Sequence, residues 1–293
     1  MNRLNTTLFK TLHSAKSQIG QFYLNSENSF QILFFFLFMI MYLKRYKRMT
    51  VIIFDFDQTL VFSFNALREA DDTALKKLIA FIQREFKDIS SDKIILIANQ
   101  VIIKWKTISE YDRKLWWRDI LAHFKLKADI SFLESLENDY WDFVQMKTEL
   151  FNETITVLKE LKKSKSIKIG LISDTDGQNG RKMRRINSIP EFIQYFDTIV
   201  IAGESEIPTK PDPAAFNICL KQLNVDPNNE KCFYVGDKFE SDVIGALNAK
   251  ITPIWIQHPV LAQLYENQPK KLHYEKIITI KNLRELLDRE NFF

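Results

Sequence analysis

Six short runs of apolar and β-branched residues constrain the fold more than any other feature of this sequence. Each run is apolar nearly throughout rather than alternating, which is typical of parallel strands buried on both faces of a sheet. Segments with helical periodicity separate the runs, and this alternation predicts a doubly wound, Rossmann-like α/β sheet. The runs are TVIIF (50–54), IKIGLIS (167–173), TIVIA (198–202), KCFYV (231–235), TPIWI (252–256) and KIITI (276–280).

The distribution of glycine and proline predicts a second, helical subdomain. No glycine lies between Gly20 and Gly170, and all eight prolines follow residue 189. A βαβ connection needs only about a dozen residues, yet roughly a hundred separate the first two predicted strands. We therefore expect a helical cap over residues 63–163, inserted into an α/β core of residues 49–62 and 164–293. The predicted helices in and beside this insertion span residues 64–86, 92–106, 111–124, 130–146 and 152–163.

Residues 1–48 form an apolar and basic extension whose role the sequence leaves open. The fourteen-residue run FQILFFFLFMIMYL (30–43) precedes a basic segment. As a helix it would span roughly 21 Å, less than the ~30 Å of a bilayer core. It also lacks the cleavage site of a signal peptide. A disordered or non-native extension, with translation starting at Met49, stays open, as do a membrane anchor and a segment packed on the body.

The charge distribution argues against a nucleic-acid partner. The formal net charge is +4, but residues 1–48 hold seven Lys or Arg and one acidic residue. From totals of 41 and 37, this leaves 34 basic and 36 acidic residues in the remainder, without a basic patch interleaved with aromatic residues. Cys219 and Cys232 lie in apolar surroundings and match no disulfide or metal spacing. We expect buried free thiols and a cytoplasmic protein.

Polar side chains follow four consecutive predicted strands, and ligands bind at this carboxyl edge in open α/β sheets. Asp55 and Asp57 follow the first strand, and their spacing of two places both on one side. Any one of these residues could be a turn residue or a helix cap. Together they predict a crevice where carboxylates bind a divalent cation and a lysine and a serine bind a phosphoryl group. The remaining residues are Ser173, Asp174, Lys210, Gly236, Asp237 and Asp242.

These residues resemble the four motifs of the haloacid dehalogenase superfamily, in the family's order. The motifs are DFDQT (55–59), the strand ending at Ser173, Lys210 before PDP, and GDKFESD (236–242). The helical insertion after the first motif resembles the subgroup with a mobile helical cap, and the motif sequences are similar to those of phosphoglycolate phosphatases and sugar phosphatases. Dehalogenases of the superfamily lack an acid at the second aspartate position, so Asp57 favours phosphate chemistry.

The resemblance implies a role for each site residue. Asp55 would attack phosphorus and form an aspartyl-phosphate, and Asp57 would protonate the leaving oxygen and then activate water. Asp55 would therefore be ionised and Asp57 protonated. Mg²⁺ would be held by Asp55, Asp237 and the backbone carbonyl of Asp57. The substrate phosphate would be bound by Thr59, Ser173, Asp174 and Lys210, with Gly236 and Asp242 in support.

Two residues depart from the commonest pattern of the superfamily. Gln58 replaces a residue that is often small, and Asp174 stands where many relatives carry Asn. The charge of Asp174 would weaken anion binding unless a cation compensates it.

The sequence thus predicts a Mg²⁺-dependent phosphomonoester hydrolase of a small phosphorylated metabolite, such as a sugar phosphate or a phosphoglycolate-like compound. We expect a monomer or homodimer. A phosphosugar mutase shares the same motifs and stays open, as does a non-catalytic module tethered to a membrane through residues 30–43. Specificity would come from the cap, where the candidate residues are Phe62, Arg68, Trp116 and Arg118.

Overall fold

A six-stranded parallel sheet forms the centre of the protein. The computed structural model describes residues 49–265 and 277–288. Its strands are β1 Thr50–Phe54, β2 Val61–Phe62, β3 Glu149–Leu150, β4 Ile167–Asp174, β5 Thr198–Ala202, β6 Lys231–Gly236, β7 Thr252–Ile256 and β8 Ile278–Ile280. The central sheet has the order β5-β4-β1-β6-β7-β8, and each neighbouring pair is parallel. The predicted doubly wound α/β fold is confirmed.

Helices connect the strands at positions close to those predicted. They are α1 Phe64–Glu85, α2 Ser91–Thr107, α3 Arg113–His123, α4 Ile130–Lys147, α5 Thr154–Lys162, α6 Arg181–Asn187, α7 Ala214–Gln222, α8 Gly245–Asn248, α9 Ala262–Tyr265 and α10 Glu285–Asp288. Short 3₁₀ turns span Ile193–Tyr195 and Pro259–Leu261, and a π-helical turn spans Phe239–Ile244. The π turn leads directly into α8, and such turns are often found at functional sites.

The side chains of β1 alternate between two hydrophobic clusters, one on each face of the sheet. Ile52 and Phe54 join the cluster covered by α5 and α10, whereas Val51 and Ile53 join the cluster covered by α7. All four are at most 1% exposed. Burying an aliphatic or aromatic side chain of this size contributes about 1.5–3 kcal/mol. The burial of both faces explains why the strand is apolar throughout.

The register of the strands brings their polar ends together. Phe54 pairs with Leu171 of β4 and with Val235 of β6, so the residues after β1 lie between the ends of both neighbours. Asp174 at the end of β4 pairs in turn with Ala202 of β5. The segments that follow β1, β4, β5 and β6 therefore begin at one edge of the sheet.

Helices α1 to α4 build a hydrophobic cluster of their own, separate from the two clusters of the sheet. The predicted insertion ends at residue 163, but Val157, Leu158 and Leu161 of α5 belong to a sheet cluster. We therefore propose that the cap spans residues 64–147. Strand β2 precedes the cap and strand β3 follows it. The two strands pair antiparallel, with Val61 opposite Leu150.

Trp116, Trp117 and Trp141 are at most 5% exposed, so all three pack in the interior of the protein. Cys219 and Cys232 are free and buried, as expected.

Residues 1–48, whose role the sequence leaves open, lie outside the described residues. Lys276 of the last predicted strand also lies outside them. Within residues 49–265 and 277–288, no helix has the length and apolar character needed to cross a membrane.

Candidate active site

Lys210 links the first and fourth motifs at the edge of the sheet. Its Nζ lies 2.6 Å from Oδ1 of Asp55 and 2.6 Å from Oδ1 of Asp242, and it donates to the hydroxyl of Tyr234 at 3.0 Å. Lys210 is 2% exposed. Burial lowers its pKa, but Asp242 and Asp55 outweigh burial and hold the pKa well above its usual value. Lys210 is therefore a permanent cation beside Asp55.

Three carboxylates converge next to this lysine. Oxygen atoms of Asp55, Asp237 and Asp242 all lie within 4.8 Å of one another. Burial, opposed by Lys210, raises the pKa of Asp55 to about 7. Burial, followed by the charges of Asp242 and Asp55, raises the pKa of Asp237 well above its usual value. When all three carboxylates are ionised, the cluster carries more negative charge than the single ammonium of Lys210 balances.

Asp237 has the properties of a metal ligand. It is 2% exposed, and its Oδ1 has no hydrogen-bond partner among the residues that the structure describes. A buried carboxylate oxygen without a donor is costly unless a cation meets it. Carboxylate oxygens are the ligands that Mg²⁺ prefers, so Asp55 and Asp237 fit the predicted site. Asp242, expected only to support the site, is the third carboxylate of this cluster. The contribution expected of the Asp57 carbonyl remains a prediction.

Gly236 allows Asp242 to reach the cluster. A Cβ atom at position 236 would lie 2.4 Å from Cγ of Asp242, which is closer than real Cβ contacts come. The N–H of Lys238 donates to Oδ2 of Asp242 at 2.9 Å and fixes the other side of the carboxylate. Glycine is thus needed at position 236 because of space.

Asp174 holds the segment that carries Lys210. Its Oδ1 accepts a hydrogen bond from the backbone N–H of Lys210 at 2.9 Å, and its Oδ2 accepts one from the hydroxyl of Tyr111 at 3.5 Å. The acid that replaces the usual Asn therefore has a structural partner on each oxygen.

Ser173 and Thr59, two predicted phosphate ligands, are at most 1% exposed. The hydroxyl of Ser173 donates weakly to the carbonyl of Asp174 at 3.4 Å. The hydroxyl of Thr59 has no partner within residues 49–265 and 277–288. Their contacts with a phosphate remain predictions.

Asp57 lies in a different electrostatic environment from Asp55. Arg185 donates to both of its carboxylate oxygens at 2.6 Å, and Lys182 donates to Oδ2 at 2.6 Å. The hydroxyl of Ser63 donates to Oδ1, also at 2.6 Å, and Gln58 in turn bonds with Ser63. Burial alone would raise the pKa of Asp57, but Arg185 and Lys182 outweigh burial and lower the pKa well below its usual value.

The resemblance implies an ionised Asp55 and a protonated Asp57 during the reaction, and these states remain a prediction. In the structure the surroundings act in the opposite direction, because burial raises the pKa of Asp55 to about 7, whereas Arg185 and Lys182 lower the pKa of Asp57. The physical reason is that Asp57 meets two cations from α6, while Asp55 meets two further carboxylates and one ammonium. The sequence reasoning missed Lys182, Arg185 and Asp176.

Among the described residues, several contacts join the cap to the core beside the site. Tyr111 reaches Asp174, as described above. A Cβ atom on Gly177 would lie 2.3 Å from the backbone oxygen of Tyr111, so the loop after β4 packs directly against the cap. Arg181 of α6 pairs with Glu137 of α4 at 3.0 Å, and Glu137 is 1% exposed.

The cap residues proposed from sequence have structural contacts. Trp116 is buried and its indole N–H donates to the carbonyl of Glu110 at 3.1 Å. Arg68 lies over the ring of Phe64, and Phe62 packs near Phe151. Arg118 is exposed. Their role in substrate binding remains a prediction, whereas Tyr111 of the cap donates a hydrogen bond to Asp174 directly.

The match to a known family covers both the cap and most of the core. Residues 49–250 match the haloacid dehalogenase-like hydrolases. The chain belongs to this family. Its curated relatives include N-acylneuraminate-9-phosphatase of Rattus norvegicus, which is 27% identical over 72% of this chain and 83% of the relative. Glyceraldehyde 3-phosphate phosphatase of Pyrococcus furiosus is 26% identical over 84% of this chain and 95% of the relative.

Solved structures share the fold of this family member. The crystal structure of a HAD phosphatase from Thermococcus onnurineus is 22% identical, with a TM-score of 0.55 over 82% of this chain and 97% of that chain. A putative β-phosphoglucomutase from Thermotoga maritima, 18% identical, has a TM-score of 0.56 over 82% of this chain and 97% of its own. The predicted family and enzyme class, a phosphatase of this superfamily, are confirmed.

Proposed function

We propose that the protein is a Mg²⁺-dependent phosphomonoester hydrolase that acts on a small sugar-type phosphate through an aspartyl-phosphate at Asp55. The observation that carries the proposal is the cluster of Asp55, Asp237 and Asp242 with Lys210 at the edge of the sheet. This cluster combines a nucleophile, an excess of negative charge for a dication and an ammonium for the phosphoryl oxygens.

Asp55 carries out the first step. Its carboxylate oxygen bonds to phosphorus while the bond from phosphorus to the ester oxygen breaks, and the alcohol leaves with a proton from Asp57. Bound Mg²⁺ would supply positive charge that keeps Asp55 ionised and offsets the charge of the phosphoryl group. Asp55 and Asp237 would hold it, with Asp242 beside them.

Lys210 and Ser173 stabilise the transferring group. The ammonium of Lys210 contacts Asp55 directly, so it lies within reach of a phosphoryl group bonded to that carboxylate. Ser173 lies near the end of the neighbouring strand β4, beside the end of β1.

Asp57 acts in both halves of the cycle. In the second half, a water molecule attacks phosphorus, its proton moves to Asp57, and the bond to Asp55 breaks to release inorganic phosphate. The ion pairs with Arg185 and Lys182 favour the ionised Asp57 that this second half needs. The first half requires a protonated Asp57, which the same ion pairs oppose.

The substrate class follows from the relatives and from the cap. The names of two curated relatives describe phosphatases of small carbohydrate-type phosphomonoesters, an acylneuraminate and a triose. A cap that covers the site suits a compound of this size rather than a phosphoprotein. We place the reaction in the cytoplasm, in keeping with two free buried thiols.

A phosphatase panel tests the proposal. Full-length protein with Mg²⁺ is expected to release inorganic phosphate from p-nitrophenyl phosphate and from at least one sugar-type phosphate, and EDTA or Asp55→Asn is expected to abolish the release. Phosphorus NMR of the products separates hydrolysis from a mutase, because a mutase yields an isomeric phosphate ester instead of inorganic phosphate. Absence of Mg²⁺-dependent turnover of every phosphoester would overturn the proposal.

A further inference from the structure

Helix α6 contributes two buried cations, Lys182 and Arg185, which the four motifs do not include. Arg185 donates through Nη1 to Oδ1 and through Nη2 to Oδ2 of Asp57, each at 2.6 Å. This is the bidentate geometry in which a guanidinium fixes the plane of a carboxylate. Lys182 and Ser63 add one further hydrogen bond to each oxygen of Asp57. Both oxygens are thus held in place by donors.

Asp176 anchors the same two cations from the other side. Arg185 reaches it through Nε at 3.0 Å and through Nη2 at 3.1 Å, and Nζ of Lys182 lies 2.7 Å from its Oδ1. The side chains of Lys182, Arg185 and Asp176 are 2–4% exposed. Two carboxylates therefore meet two cations, and this balance allows the group to be buried.

Asp57 differs from the other three members of this group in its exposure. Its side chain is 23% exposed, whereas that of Asp176 is 2% exposed. The buried part of the group is thus the support, and the accessible part is the carboxylate that has to meet a leaving group. Arg185 also reaches the hydroxyl of Thr148, beside the cap, at 3.4 Å.

We propose that Arg185 and Lys182 are positioning residues that fix the carboxylate of Asp57 for proton transfer to the leaving oxygen, without contacting the substrate. Their charges oppose the protonated form of Asp57, and the fixed geometry of the carboxylate outweighs this opposition. This inference rests on the proposed function. Without the two hydrogen bonds from the guanidinium of Arg185, the Asp57 side chain would rotate among several rotamers. Its oxygens would then face the leaving group less often.

The leaving group provides a specific test. Departure of an alkoxide from an alkyl phosphate depends on proton donation, whereas p-nitrophenolate is stable enough to leave with little help. General acid catalysis contributes typically about 10²–10⁴-fold. We expect Arg185→Met to lower kcat/KM about 30-fold for an alkyl phosphate substrate from the panel, and less than about 3-fold for p-nitrophenyl phosphate. Arg185→Lys is expected to recover part of the loss.

Arg184 provides a matched control on the same helix. It neighbours Arg185, but its side chain is 56% exposed and its nearest carboxylate, that of Asp142, lies 3.8 Å away. Arg184→Met is expected to leave kcat/KM for both substrates within about 2-fold, because exposed ion pairs of this kind contribute little.

A double-mutant cycle decides whether Arg185 acts through Asp57. In an Asp57→Asn background, Arg185→Met is expected to cause no further change in the ratio of the two kcat/KM values. Arg185→Met alone leaves two carboxylates, Asp57 and Asp176, with the single cation of Lys182. The double variant removes the excess carboxylate charge, so it provides a folded sample if Arg185→Met alone does not fold. Lys182→Met is expected to shift the ratio in the same direction as Arg185→Met.

Two results would overturn the inference. One is an equal loss for both substrates in Arg185→Met, which indicates a purely structural role. The other is a change in the ratio that persists in the Asp57→Asn background. Either result leaves the proposed function intact, because the wild-type protein would still release phosphate. Failure of the wild-type protein on every phosphoester is a separate outcome, which rejects the proposed function itself.

Discussion

Asp55 and Asp57 are two residues apart, yet they lie in opposite electrostatic environments. The Asp55 cluster, made up of Asp55, Asp237, Asp242 and Lys210, has three carboxylates around one ammonium. The Asp57 cluster pairs two carboxylates with two cations and leaves no net charge. Burial raises the pKa of both acids, although the side chain of Asp57 is 23% exposed and that of Asp55 is 8% exposed, so the difference in pKa direction comes from the neighbouring charges.

The comparison shows that the ratio of cations to carboxylates in a buried cluster indicates the role of that cluster. The Asp57 cluster is complete, so its side chains hold each other in a fixed geometry. The Asp55 cluster is incomplete, with an unpartnered oxygen on Asp237 among the described residues. An incomplete anionic cluster is suited to bind a cation and a reacting group.

The largest expected effect comes from removing the cation of the Asp55 cluster. Lys210→Met leaves Asp55 and Asp242 facing each other without an ammonium, and it also removes a donor to the phosphoryl group. We expect phosphatase activity to fall about 10³-fold, and the free energy of unfolding to fall by about 3–5 kcal/mol in EDTA. Steady-state kinetics and urea denaturation measure the two quantities. Lys221→Met, at an exposed position on α7, is the control, and a loss below 10-fold for Lys210→Met would contradict its role.

A smaller effect is expected from crowding the same cluster. Gly236→Ala places a Cβ atom 2.4 Å from Cγ of Asp242, so Asp242 has to move away from Lys210. We expect activity to fall about 100-fold, as for loss of a residue supporting a metal site, with weaker Mg²⁺ binding by calorimetry.

Gly180 at the start of α6 provides the contrast for Gly236. A Cβ atom at position 180 meets nothing within 4 Å, but φ is 78°. Gly180→Ala is therefore expected to cost about 1 kcal/mol of stability from backbone strain while leaving Mg²⁺ binding unchanged. Equal Mg²⁺ affinities in wild-type protein and Gly236→Ala would show that the position of Asp242 is unimportant.

The smallest expected effect is a pH dependence that separates the two clusters. Asp55, with a pKa of about 7, and Asp237 have raised pKa values in the folded protein, so the folded state without Mg²⁺ binds protons that the unfolded chain releases. Its stability therefore rises as the pH falls from 8 to 6. Mg²⁺ replaces these protons, so the increase in Tm on adding Mg²⁺ is expected to be about 3 °C larger at pH 8 than at pH 6.

The Asp57 cluster contributes no such slope. The folded pKa of Asp57 is depressed, so its stabilisation is fully present above the unfolded value and is lost only as the pH falls through the lower folded pKa. It is therefore constant between pH 6 and pH 8. Differential scanning fluorimetry with Mg²⁺ or EDTA measures the increments. Equal increases in Tm at pH 8 and pH 6 would contradict the raised pKa values in the Asp55 cluster. Asp237→Asn is expected to reduce the difference between the two increases.

The sheet was predictable because its strands are buried on both faces. After the initial threonine, runs such as TIVIA (198–202) and TPIWI (252–256) contain no polar residue, and the strands of the structure have the same bounds. The motif residues follow from this, since a parallel sheet brings the ends of neighbouring strands to one edge. Lys210 and Asp237 were therefore accessible to sequence reasoning.

The Asp57 cluster was not predictable from the sequence for a physical reason. Its cations come from RKMRRIN (181–187), a helix of seven residues that is too short to show a periodic pattern. A run with four basic residues is usually solvated, and only tertiary contacts with Asp57 and Asp176 bury Lys182 and Arg185. One signal was present, because two buried acids near a basic helix require partners. The directions of the two pKa shifts could not be predicted without these contacts.

The boundary of the cap shows a similar limit. The apolar positions of α5 predict a helix, but not which hydrophobic cluster they join. Only the packing of Val157 and Leu158 against the sheet separates α5 from the cap.

The pairing of β2 with β3 has a consequence for how this protein could change its substrate over evolution. Because Val61 lies opposite Leu150, the helices between them form a loop whose two ends are neighbours. Substitutions within such a loop alter the cap beside the site. They do not shift the register of the central sheet, which holds the reacting groups. Selection can therefore act on substrate choice and on chemistry as nearly independent traits.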